Sequence, residues 1–389
     1  TGSAVVTFTA TDDCENTSTT SATFTIEDTT APSIDIAASD ETVECDGTGN
    51  MMALTDWLAD NGGAEASDAC GAVTWTNNFM NLSDECGATG SAVVTFTATD
   101  DCENTSTTSA TFTIEDTTAP SIDIAASDET VECDGTGNMM ALTEWLADNG
   151  GASASDACSG TVTWTNDFTS LSDDCGATGS ALVVFTATDD CGLTSTTSAT
   201  FTIEDTTAPS IDVVAVDETV ECDGTGNMMA LTDWLADNGG ASASDACSGT
   251  VTWTNDYTSL SDECGATGSA VVTFTATDDC GLTSTTSATF TIEDTTPPSI
   301  DTPASNMTIE CDVSENAMTI TDWLADNGGA IASDACSGTA TWTNDYTSLS
   351  DECGSTGSAL VVFTATDDCG LTSTTSATFT IVDTTPPLW

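Results

Sequence analysis

Lysine, arginine, histidine and glutamine do not occur anywhere in the 389 residues, whereas 64 positions are Asp or Glu, for a formal net charge of −64. Each absence excludes something. Nucleic-acid binding needs cationic side chains to neutralise phosphate, and a basic membrane-surface patch needs them too. Without His or Lys there is no imidazole base and no Schiff-base amine, and without Arg no bidentate clamp for a phosphate or carboxylate. A carboxylate-pair hydrolase is the one enzyme class left chemically open, and an active site copied in near-identical form in every repeat would be unusual, so the expectation is a non-enzyme. No apolar run approaches the ~20 residues of a spanning helix, and the first residues lack the charged and apolar regions of a signal peptide.

Hydrophobic residues make up 39% of the chain and alternate with Thr instead of giving way to charge runs, so a folded core is expected despite the acidity. The negative charge has no internal compensation, and its self-repulsion opposes compaction. Salt or divalent cations are the obvious external counterweight.

The run Thr-Gly-Ser-Ala begins at Thr1, Thr89, Thr178, Thr267 and Thr356, giving spacings of 88, 89, 89 and 89 residues. A period of this length is a tandem array of whole domains, not a solenoid of small units. The linker Asp-Thr-Thr followed by Ala-Pro or Pro-Pro recurs at Asp28, Asp116, Asp205, Asp294 and Asp383. Cutting there gives complete repeats at 31–118, 119–207, 208–296 and 297–385, with 1–30 as the last part of a preceding repeat and 386–389 as the start of a following one.

Within 31–118, Ser33–Ala37 and Thr42–Cys45 read as a first strand broken in two near Pro32. The period changes over Asn50–Asp60, where Met51, Leu54 and Leu58 share a face, Asn50 is placed to cap and Gly62-Gly63 to stop a three-turn helix. Met51, Met52 and Trp57 are expected to pack that helix onto the domain. Val73 and Trp75, then Ala92, Val94, Phe96 and Ala98, then Ala110, Phe112 and Ile114 alternate with mostly Thr neighbours, which predicts strands apolar on one face and wet on the other. The fold class expected is all-β: a tandem array of β-sandwich domains, each with one short inserted helix.

Seventeen cysteines amount to four per complete repeat plus Cys14, the counterpart of Cys102. Four cysteines allow three pairings. Joining Cys86 to Cys102 is excluded, because the strand between them spans ~30 Å and Gly87–Gly90 cannot recross it. No Cys-x-x-Cys and no His argue against zinc. Disulfides place the chain in an oxidising, extracellular setting.

The run Val-Thr-Phe-Thr-Ala-Thr-Asp-Asp-Cys at 94–102, the strand Thr-Phe-Thr-Ile at 111–114 and the Asp-Thr-Thr-Ala-Pro linker resemble hyalin-repeat (HYR-like) modules of immunoglobulin type. Such modules occur in long arrays in giant secreted surface proteins of Bacteroidetes-type bacteria, including gliding-motility adhesins. Two departures are the inserted helix and the lack of the Cys pair that many hyalin repeats carry on their first and last strands. The resemblance implies an immunoglobulin-like sandwich whose strand course puts Cys70 and Cys102 at one pole and Cys45 and Cys86 at the other. The disulfides it implies are Cys45–Cys86 and Cys70–Cys102, with Cys133–Cys175, Cys158–Cys191, Cys222–Cys264, Cys247–Cys280, Cys311–Cys353 and Cys336–Cys369 in the later repeats.

That pairing gathers carboxylates at the pole nearest the incoming linker. The candidate Ca²⁺ ligands are Asp28, Asp116, Asp205 and Asp294 from the linkers, with Asp68, Asp156, Asp245 and Asp334 beside one cysteine. Asp100-Asp101, Asp189-Asp190, Asp278-Asp279 and Asp367-Asp368 stand beside another. Ca²⁺ takes six to eight hard oxygen ligands, which carboxylates on adjoining loops supply; the rival is a solvated acidic surface. Two functional expectations follow. One is a structural segment of an extracellular surface adhesin or filament, with neighbouring copies of the same repeat as partners. The other is a multivalent module binding glycans or another partner. The absence of Lys and Arg removes every trypsin-type cleavage site, which suits an exposed fibre.

Overall fold

The computed structural model of the chain describes residues 1–158, 160–311, 316–350, 352 and 354–386. The Cys311–Cys353 pairing and most of the 386–389 segment fall outside those residues. Strands β1 (Gly2–Thr11) and β2 (Thr17–Ile26) form an antiparallel hairpin. The period 31–118 then runs β3 (Ser33–Ile36), β4 (Glu41–Glu44), α1 (Met51–Ala59), a 3₁₀ turn at Asn61–Gly63, β5 (Glu65–Ser67), β6 (Thr74–Asn77), β7 (Gly90–Thr99) and β8 (Thr105–Glu115). The same order recurs three times, with helices at Met139–Ala147, Met228–Ala236 and Asn316–Ala325. No helix among the described residues is long and apolar enough to cross a membrane.

Four strands make one layer in the order β4-β8-β7-β6. Strands β7 and β8 pair antiparallel with Val94 opposite Ala110 and Ala92 opposite Phe112, while β4 joins β8 in parallel with Val43 opposite Ile114. The opposing layer holds the short β3–β5 pair, bulged between Ile34 and Ile36, together with α1. The alternation read from the sequence decides the core: Val94, Phe96, Ala98 and Phe112 are fully buried, whereas Val93, next to Val94, is 70% exposed. Trp57 of α1 closes this layer, edge-on to Phe96 at 5.2 Å and tilted over Phe112 at 5.4 Å. Its indole N–H donates to the Ser39 carbonyl at 3.2 Å, so the ring is buried without an orphaned donor.

Two details of the helix differ from the sequence reading. Asn50 sits in the left-handed region (φ 49°) and makes no side-chain cap; its amide instead donates to the Glu44 carbonyl, and its Oδ1 accepts from the Asp46 N–H. Asp46 organises this loop, accepting from the Thr48 and Asn50 N–H groups at 2.8 and 3.0 Å. Met51 and Met52 face solvent, and Leu54 and Trp57 carry the packing, because a nine-residue helix presents only one stripe to the sheet.

Two compact units make up the chain: Thr1–Val131 with Asn138–Asp173 and Gly179–Glu204, and Glu132–Gly137 with Asp174–Thr178 and Asp205–Trp389. In the first, Cys86 is bonded to Cys191. In the second, Cys175 is bonded to Cys280, Cys222 to Cys336 and Cys264 to Cys369. Every one of these disulfides joins a repeat to the next, across 105 or 114 residues. This corrects the within-repeat pairings: Cys45–Cys86, Cys70–Cys102, Cys133–Cys175, Cys158–Cys191, Cys222–Cys264, Cys247–Cys280 and Cys336–Cys369 are not formed.

The physical reason lies in how closely consecutive repeats abut. Ala88 N–H of one repeat donates to the Cys158 carbonyl of the next at 2.9 Å, and Ala266 N–H does the same to Cys336 at 3.1 Å. Gly47 lies so close to the Ala157 carbonyl, at φ +71°, that a Cβ would overlap it. A cysteine at such an end meets its counterpart across the junction.

Candidate metal centre at the repeat junction

Glutamate at the end of the β4-type strand fixes the linkers at Asp116, Asp205, Asp294 and Asp383. Glu44 accepts from the Thr117 N–H at 2.9 Å and from the Thr117 and Thr118 hydroxyls at 2.7 and 2.8 Å. Glu132, Glu221 and Glu310 hold Thr206-Thr207, Thr295-Thr296 and Thr384-Thr385 in the same way. The Thr117 N–H is the main cause that keeps the Glu44 carboxyl below its ordinary range. This clamp explains why the linker reads Asp-Thr-Thr, and it sets the position of the Asp.

In the first unit, Asp116 gives one oxygen to the Thr118 N–H at 3.1 Å, and its Oδ2 is buried without a partner. Asp156 and Cys158 each bring a ligand atom to within 4.8 Å of it. Asp189 is only 5% exposed; its Oδ1 accepts from the Cys191 and Leu193 N–H groups at 2.9 and 2.8 Å, and its Oδ2 is likewise buried and unpartnered. In the second unit Asp205, Asp245 and Asp278 put one oxygen each within 4.8 Å of the others, and Asp294 stands equally close to Asp334 and Cys336. The Oδ2 atoms of Asp205, Asp278, Asp294 and Asp367 are all buried without a partner.

Burial raises the carboxyls of Asp116, Asp205 and Asp294, and neighbouring carboxylates (Asp156, Asp189 and Glu44 around Asp116) push in the same direction against the Thr N–H. A carboxyl raised in the folded state holds its proton more tightly there than in the unfolded chain, so ion-free stability falls as pH rises through that raised value. The glutamate clamps act oppositely, contributing stability above the unfolded carboxylate value that is lost as pH falls through their depressed ones. Chelator-treated protein is therefore expected to melt higher just above the ordinary carboxylate range than at pH 7, and lower again in stronger acid. A melting temperature flat from pH 7 down through that range would contradict the strained cluster.

Other candidate ligands stay apart. Asp101, Asp190, Asp279 and Asp368, the second residues of the Asp-Asp pairs, are exposed and belong to no such group among the described residues. Asp28 and Asp68 gather with Cys70, but the Asp100 beside that group is already satisfied. Asn104 donates its amide to Asp100 Oδ2 at 2.9 Å and to the Asp28 carbonyl at 3.2 Å. Leu193, Leu282 and Leu371 replace Asn104 in the later repeats, and there the corresponding Asp189, Asp278 and Asp367 oxygens are orphaned. Sequence reasoning missed both this exchange and the glutamate clamp. The first was visible as Glu-Asn-Thr at 103–105 against Gly-Leu-Thr at 192–194; the second had no local signal, since Glu44 and Thr117 are 73 residues apart.

No family model and no curated protein matches the chain. Among solved structures it is similar to protocadherin gamma B2 extracellular cadherin domains 1-5, at 12% identity and a TM-score of 0.34, over 99% of this chain and 87% of that one. Drosophila N-cadherin EC1-4 gives 8% identity and 0.23, over 89% and 100%. The human desmocollin-1 ectodomain gives 11% and 0.22, over 98% and 86%.

Proposed function

We propose that the chain is a structural segment of a long extracellular surface adhesin or filament, built from repeats at 31–118, 119–207, 208–296 and 297–385. Its junctions are tied by disulfides and by calcium. The observation that carries this reading is the 5%-exposed Asp189, whose Oδ2 is buried without a partner beside Asp116 and Asp156, on a junction that a disulfide already bridges. A buried carboxylate oxygen without a partner is costly, and neighbouring carboxylates repel one another, unless a cation neutralises them. The residues present fit Ca²⁺: all three donors are hard carboxylate oxygens, one from the linker and two from the next repeat, with coordination completed by water. Disulfides support an oxidising, extracellular location, and neighbouring copies of the repeat are the partners this reading names.

An ion bound only by the folded state adds about 2.7 kcal/mol at a hundred times its dissociation constant. Chelation at moderate salt is expected to lower the melting temperature, and calcium to restore it where added monovalent salt, which only screens the general repulsion, does not. Melting unchanged by chelator would leave the carboxylates as a solvated surface and remove calcium from the proposal.

A second reading, multivalent binding of glycans or another partner, has one observation behind it. The same groove recurs beside α1 and its counterparts, lined in one repeat by Glu129, Glu144, Trp145 and Asp148 and in another by Glu218, Asp233, Trp234 and Asp237. A glycan array probed with the whole chain separates the two, since a spacer retains nothing.

A further inference from the structure

Two cysteine pairs remain as thiols where the third junction carries a bond. Cys45 is 5% and Cys158 4% exposed, and the Cys158 sulfur lies 3.1 Å from the Cys45 carbonyl oxygen. Cys247 stands in the same relation to Cys133, again at 3.1 Å. In the counterpart pair, Cys336 approaches the Cys222 carbonyl at 3.3 Å, and those two residues are disulfide-bonded. The surrounding junction is the same in each case: Ala88, Ala177 and Ala266 donate their N–H to the carbonyls of Cys158, Cys247 and Cys336 at 2.9, 3.0 and 3.1 Å.

We propose that Cys45–Cys158 and Cys133–Cys247 are disulfides as well, so that each of the three junctions is closed by two inter-repeat bonds. The chemistry is thiol–disulfide exchange with a small-molecule disulfide: two protein thiols become one protein disulfide, and the reagent takes both electrons and both protons to leave as two thiols. Cys45 and Cys158 are 5% and 4% exposed, so a dissolved disulfide reagent cannot reach their sulfurs once the junction is closed. The bonds therefore form before the junction closes over them.

The six bonds overlap along the sequence from Cys45 to Cys369. Any single backbone cut in that range leaves the pieces joined. The five remaining cysteines are Cys14, Cys70, Cys102, Cys311 and Cys353, each at a position whose counterpart bonds to an adjacent repeat. A continuous double ladder of this kind carries tension past a broken linker and keeps a nicked array in one piece.

The absence of Lys and Arg makes the test clean, because one introduced Arg is the only trypsin site. Met80 is 89% exposed, in the loop between Cys45 and Cys86. Of the six bonds, only Cys45–Cys158 spans it. Full-length Met80→Arg protein, refolded with oxidised and reduced glutathione and cut with trypsin, is expected to keep its full size on a non-reducing denaturing gel. It should split into 1–80 and 81–389 on reduction. In a Cys158→Ser background it should split without reductant.

Separation without reductant in the Cys158-containing protein overturns the proposal, as does retention in the Cys158→Ser protein, which would show other cysteines joining the pieces. Acid-quenched mapping of the unmutated chain provides the second measurement, free of any folding defect in the variants. Cross-linked peptides carrying Cys45 with Cys158 and Cys133 with Cys247 are expected. Alkylated Cys133 and Cys247 beside a bonded Cys222–Cys336 would refute the second pair.

Discussion

Replacing Cys264 and Cys369 together by Ser is expected to lower the unfolding free energy of the repeats they join by about 4–5 kcal/mol, the value that the loop-entropy model gives for a closed loop of about 100 residues. The bond closes 105 residues, so its constraint on the unfolded chain is larger than a within-repeat bond of tens of residues would impose. Substituting both partners avoids leaving a single thiol to mispair. In denaturant the transition of residues 208–385 should move to lower urea, while that of residues 31–118, which take no part in this bond, stays in place. Tryptophan fluorescence reads both, since Trp57, Trp234 and Trp323 each sit against the Phe pair of their own core. An unshifted midpoint would mean that the bond spans a contact already closed in the unfolded ensemble, and that the junction is held by its backbone contacts.

The sandwich was legible because its information is local. Alternation at Val94, Phe96 and Ala98 against Val93, Thr95 and Thr97 needs no partner to be read, and the Asp-Thr-Thr linker and the 89-residue period mark the repeat. Cysteine pairing is a different kind of question. The four cysteines of a repeat sort correctly into two ends, but sequence spacing cannot say whether an end closes on itself or on its neighbour. That depends on how close consecutive repeats come, which Gly47 against Ala157 and Ala88 against Cys158 decide across the junction. The acidic cluster was half legible for the same reason. Asp116, Asp156 and Asp189 could be named as neighbours, whereas Asp190 could not be told from Asp189 without knowing which side of the turn is buried. Asn50 was misread because an Asn before a helix has two local uses, and here Asp46 draws it into the loop instead of the cap.

Leu193→Asn is expected to abolish calcium binding at one junction while stabilising the ion-free protein. Asn104 shows how: its amide fills the place beside Asp100 Oδ2 that is left without a partner beside Asp189 Oδ2. A hydrogen bond to a charged acceptor contributes about 1.5–3 kcal/mol, against a loss of about 1 kcal/mol or less for the apolar area of a half-buried Leu, so the exchange favours the variant when no ion is present. With one ion per orphaned carboxylate cluster, calcium titration of the chelator-stripped chain by calorimetry should count three sites, at Asp116/Asp156/Asp189, Asp205/Asp245/Asp278 and Asp294/Asp334/Asp367. Leu193→Asn should leave two, and Leu193→Asn with Leu282→Asn and Leu371→Asn none, with melting then indifferent to chelator. The reverse change, Asn104→Leu, orphans the Asp100 oxygen and should add a fourth. Three sites persisting in the triple variant would show that calcium binds elsewhere on the acidic surface and that the amide and the ion do not compete for one carboxylate.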